Sequence, residues 1–200
     1  NVYYVPTNVA DNLFTVSHIL VGFTDEQKAE LERINNEAST NSSYNKQNDL
    51  NKLYAATSSN GVSAYDILIE LQAALKNANS LADKYTTFRS FINQYNTDPG
   101  MQNLDQLNAD TNKPQYEYVM SKNTDKNQMV QAFTDASIQL FNQGVKGAIS
   151  GLVWTDYGAH IIMYTRDIAD IVYTSAAGLD STLDLFKLNY ADTLFTTLTS

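Results

Sequence analysis

"TDYGAHIIMYTRD", residues 155–167, decides how this chain is read. Asp-Tyr-Gly is a turn signal, and the β-branched and aromatic run after it predicts the second strand of a hairpin, with "AISGLVWT" (148–155) as the first. The stretch also holds His160, one of only two histidines in 200 residues. The other, His18, lies in "VSHILVGFT" (16–24), where residues 15–23 read as a short buried strand. Two readings follow. The histidines are separately satisfied core residues, or their strands are neighbours and the two rings share a site.

Working outward, Thr24-Asp-Glu-Gln27 has the form of a capping box, so a helix should begin there and place Leu31, Ile34 and Ala38 at helical spacing. Residues 36–51 are rich in turn formers and read as a loop or excursion. Ser63 is a cap for a second helical run carrying Ile67, Leu71, Leu75, Leu81, Phe88, Ile92 and Tyr95, either one long helix or two broken near "NANS". "NTDPG" (96–100) ends it, and residues 101–114 read as a polar loop. "QYEYVMS" (115–121) alternates like a strand. In "MVQAFTDASIQLF" (129–141), Val130, Phe133, Ile138 and Phe141 suggest one face of a short helix ended by Gly144. Residues 1–14 show no period and read as a lead-in arm. After Asp167 the pattern turns helical, with a stripe of Leu183, Phe186, Tyr190, Leu194 and Leu198. Helices beside a small antiparallel sheet define an α+β fold.

Composition narrows the function classes. The formal net charge of −9 argues against a phosphate-backbone partner and against anionic membrane surfaces. No apolar run approaches the length of a membrane span, and no signal peptide is recognisable. The absence of cysteine removes disulfides, thiol catalysis and Cys-ligated metals. Few charges (18%) beside abundant Asn, Thr, Ser and Tyr lean towards an extracytoplasmic setting. The start at Asn1 and the apolar stripe running into Ser200 read as the bounds of a processed or excised chain.

The blocks, taken together, carry a resemblance. "QMVQAFTDASIQLFNQGVKGAISGLVWTDYGAHIIMYTRD" (128–167) resembles the second half of the parvulin peptidyl-prolyl isomerase domain: a Met, three residues, a Phe, a short helix, a Gly-containing turn, then Thr-x-x-Gly-x-His-Ile-Ile. "SHILV" resembles its first strand, and "FINQYNTDPG" (91–100) the end of its second helix with the loop entering the site. The blocks stand in family order over roughly half the chain.

The resemblance implies a four-stranded antiparallel sheet surrounded by helices, with the first and last strands side by side at its centre. It implies that His18 and His160 face each other beneath the substrate, with Asp98 beside them, and that Met129 and Phe133 line the proline pocket with Tyr157 near its mouth. Residues 1–167 would form the domain, with about 40–81 an inserted helical excursion and 168–200 a C-terminal helical extension. The implied activity is isomerisation of X-Pro bonds in unfolded or proline-containing polypeptide clients of a secreted or membrane-anchored foldase. The chemistry needs no cofactor, because no bond is made or broken.

The chain departs from the family at several points, Tyr157 in the last hairpin and the segment from about Thr40 to Leu81 among them. "QYEYVMSKNTDKN" replaces a Gly-Asp-Leu-Gly-like strand and brings in Tyr116 and Tyr118. "GFTDEQKAELE" lacks the basic cluster by which the phospho-directed members select phosphopeptides. Three other readings stand beside the isomerase. One is a parvulin scaffold that binds polypeptide without turnover; another is a metal site of two His and one Asp, whose spacing matches no ligand motif. The third is a homodimer made by exchanging residues 40–81 and 181–200.

Overall fold

The computed structural model describes residues 2–3, 13–101, 117–167 and 173–174. Their strands are β1 (Val2–Tyr3), β2 (Leu13–Gly22), β3 (Ser58–Ser59), β4 (Val62–Ser63), β5 (Tyr118–Ser121), β6 (Val153–Thr155), β7 (Gly158–Asp167) and β8 (Tyr173–Thr174). The helices are α1 (Asp25–Thr40), α2 (Lys46–Ala55), α3 (Ala64–Lys76), α4 (Leu81–Tyr95) and α5 (Gln131–Gln143). The fold is α+β, with a four-stranded antiparallel sheet in the order β5-β2-β7-β6. β1 pairs with β8, and β3 with β4, as separate two-stranded ladders.

By contacts the chain forms two compact units: Asn1–Ser17 with Asn103–Ala148 and Met163–Ser200, and His18–Gln102 with Ile149–Ile162. In the first, β5 pairs antiparallel with the start of β2, from Leu13↔Ser121 to Val16↔Tyr118. Phe14 stacks on Phe141 with ring centroids 4.6 Å apart, and Tyr164 meets both rings edge-on. α5 ends as expected at Gly144, whose φ of +69° is readily adopted only without a side chain. Its buried face, however, is Phe133, Thr134, Ser137 and Leu140, while Val130 is exposed. The hydroxyls explain the difference: Ser137 donates to the Phe133 carbonyl and Thr134 to that of Met129, so both small polar residues turn inward with their hydrogen bonds made.

In the second unit, the Thr24 cap forms reciprocally with Gln27, as its spacing predicts. The expected loop over 36–51 is corrected: α1 continues to Thr40 and α2 begins at Lys46. Asn45 caps α2. Asp49 accepts from Lys52, Tyr44 and Arg33, which hold its carboxyl well below the usual range. Polar composition concealed this helix, whose anchor is Leu53, packed with Phe23, Leu31 and Ile34. Burying each such side chain contributes about 1.5–3 kcal/mol. Trp154 joins the cluster, stacked on Tyr54 at 3.9 Å between centroids. Ser80 caps α4, so the run from Ser63 is two helices rather than one.

Three further expectations change. β6 is confined to Val153–Thr155: upstream, Ser150 Oγ takes the Ile162 N–H in place of a backbone carbonyl, while Ser150 N–H still donates to the Ile162 carbonyl and Tyr164 N–H to that of Ala148. The lead-in arm contains strand residues at Val2–Tyr3 and Leu13–Phe14. Tyr173–Thr174 is extended rather than helical, paired with the other end of the chain in a way no local period displays. The stripe from Leu183 to Leu198, Tyr116 and nearly all of the 101–114 loop lie outside the described residues.

Candidate functional site

β2 is buried along almost its whole length, as its β-branched and aliphatic run requires of a strand covered on both faces. β7 is likewise buried from Gly158 to Thr165. Each carries one histidine, and the structure brings the two rings together. His18 Nδ1 and His160 Nδ1 lie 3.1 Å apart, with ring planes 13° from parallel. Both side chains are almost wholly enclosed.

The network extends in both directions. His18 Nε2 is 2.7 Å from Asp98 Oδ2, and His160 Nε2 is 2.8 Å from Thr155 Oγ1. A carboxylate has only acceptors, so His18 donates through Nε2–H. With both rings neutral, its Nδ1 accepts from His160 Nδ1–H, and His160 Nε2 accepts from the Thr155 hydroxyl. The Tyr157 N–H donates to Thr155 Oγ1 in turn. Burial first, and His18 second, push the His160 imidazole down to about 3, with Asp98 acting weakly against them. His160 is therefore a neutral ring at physiological pH.

Thr155 was not among the residues singled out from sequence. The signal was present, since residues alternate faces along a strand and Val153 pairs with His160, which puts Thr155 on the same face as that ring. Asn96 and Thr97 were read only as part of a helix-ending turn, yet both bind the backbone of β2.

The hairpin holding Thr155 and His160 is pressed onto β2. Phe23 N–H donates to the Tyr157 carbonyl at 2.9 Å. Gly158 has a φ of +139°, and a Cβ there would lie 2.2 Å from the Val21 carbonyl oxygen. Tyr157 itself stands at the hairpin tip, 58% exposed. Met129, half-buried, and Phe133, buried in the α5 face, belong to the other unit.

Each imidazole nitrogen already has a partner, which leaves no lone pair aimed at a common cation. Among the described residues, no group of three or more His, Cys, Asp or Glu side chains is arranged to hold a metal ion. No helix among them is long and apolar enough to cross a membrane. The arrangement is thus an enclosed, hydrogen-bonded pair of imidazoles with one carboxylate and one hydroxyl at its ends. Compared with protein-family models and with curated proteins, the chain matches none.

Proposed function

We propose that this chain carries a parvulin-type peptidyl-prolyl cis-trans isomerase domain, acting on proline-containing polypeptides outside the cytoplasm. The observation that carries this reading is the His18–His160 contact on adjacent strands of a four-stranded antiparallel sheet, with Asp98 on the outer nitrogen of one ring. The order of the matching sequence blocks supports it.

The physics suits the site. Rotation about an X-Pro bond faces a barrier of roughly 18–20 kcal/mol, and it falls if the twisted amide is held better than either planar form. Fixed dipoles achieve this without moving a proton. In this reading the network is an electrostatic frame: tautomers set by Asp98 and Thr155 leave no ring free to reorient. The resemblance gives the proline-seating role to Met129, an adaptable side chain suited to a small saturated ring.

The test is proline-limited refolding of a test protein with catalytic amounts of this chain. Acceleration by the parent, lost in a folded Met129→Ala variant, would support the isomerase. Phe133 is too buried to change without opening the core. No acceleration by a folded parent would overturn the reading and leave a polypeptide-binding module, for which exposed Tyr157 at the hairpin tip is the favouring feature.

A further inference from the structure

β5 accompanies β2 only from Leu13 to Val16. Further along, two residues from the loop after α4 bind the strand in place of a neighbour. Leu20 N–H donates to Asn96 Oδ1 at 2.8 Å, and the Leu20 carbonyl accepts from Thr97 N–H at 2.9 Å and from its hydroxyl at 3.0 Å. Gly22 N–H donates to Thr97 Oγ1 at 3.0 Å, and a Cβ at Gly22 would stand 2.6 Å from that oxygen. Asn96 then uses its other end: Nδ2–H donates to the Asp98 carbonyl at 3.0 Å. That carbonyl also accepts from Met101 N–H, and Asp98 Oδ1 accepts from Gly100 N–H, which leaves Oδ2 directed at His18.

One amide side chain therefore joins the backbone of Leu20, two residues beyond His18, to the backbone of Asp98. The link needs an acceptor and a donor on one short side chain. Asp lacks the donor, and Ala lacks both. We propose that Asn96 is the positioning residue that holds Asp98 on His18, with Thr97 as its auxiliary, so that carboxylate and imidazole are mounted on the same strand. This rests on reading the network as the isomerase site; the geometric part of the claim is tested without activity.

The experiment is long-range 1H–15N correlation of the imidazoles in the intact chain, which has only two histidines. Parent, Asn96→Ala and Asp98→Ala are compared at one pH, alongside kcat/KM on an X-Pro substrate. The expected result is a His18 ring protonated at Nε2 in the parent. Its pattern should move most of the way to that of Asp98→Ala when Asn96 is truncated, and kcat/KM should fall about tenfold, as misplacement of a positioned group implies. A His18 pattern in Asn96→Ala that coincides with the parent's overturns the proposal, as does an Asp98→Ala variant that leaves His18 unchanged. If Asn96→Ala does not fold, Thr97→Val decides by the same readout: a smaller shift in the same direction supports the proposal, and none overturns it. A parent without isomerase activity would remove the functional reading alone, because the imidazole patterns still report the positioning.

Discussion

His18 Nδ1 and His160 Nδ1 face each other at 3.1 Å, so only one proton fits between them. With both rings neutral, that proton belongs to His160. His160, driven towards its neutral form chiefly by burial, is the ring that resists a charge.

That resistance should appear in stability. His160 is pushed down to about 3 from an ordinary value of 6.5, so between those values the unfolded chain binds a proton that the folded chain refuses. Stability attributable to this group is complete above about pH 6.5 and is lost as pH falls, with a limiting slope of about 1.4 kcal/mol per pH unit. Denaturant titrations from pH 7 to 5 should show the parent losing up to about 2 kcal/mol more than His160→Gln. Parallel losses in the two proteins would sink the assignment.

Asp98 accepts the proton of an almost wholly enclosed His18 Nε2. Removing the carboxylate in Asp98→Ala strands that donor and should cost about 1–3 kcal/mol. Asp98→Asn keeps an oxygen that can accept, so its loss should be under half as large. Equal losses in chemical denaturation would show that charge, not the hydrogen bond, is what His18 requires.

Gly158 and Gly61 offer a matched contrast. Both have positive φ, +139° and +78°, but a Cβ at Gly158 meets the Val21 carbonyl at 2.2 Å whereas nothing lies within 4 Å at Gly61. Gly61→Ala should cost only the backbone penalty, about 1 kcal/mol. Gly158→Ala should cost at least about 3 kcal/mol or prevent folding, since the hairpin must leave β2. Comparable thermal midpoints for the two variants would refute the close approach.

Much of the architecture was legible because its signals are local. Thr24 with Gln27 and Ser63 each satisfy backbone donors within three residues, so the chain announces where α1 and α3 begin, whereas the break before α4, capped by Ser80, stayed open in the sequence. Gly144 marks the end of α5 in the same way. Local signals failed where the partner was distant. α2 looked like a loop until Leu53 found Phe23, Leu31 and Ile34. The inward face of α5 was legible in Phe133 and Phe141 but not in Thr134 and Ser137, which are polar by type yet internally satisfied.

The candidate site divides along the same line. By itself, the sequence determined that both histidines sit in strands, that a tight Asp-Tyr-Gly turn precedes one of them, and that the helix before Asp98 ends at Asn96; capping, turn chemistry and strand pattern act over a few residues. Only the tertiary structure decided that Asn96 and Thr97 occupy the free edge of β2, that Thr155 terminates the network, and that burial drives His160 to neutrality. Each of these depends on which groups lose water together. That is a property of strands brought side by side from opposite ends of the chain.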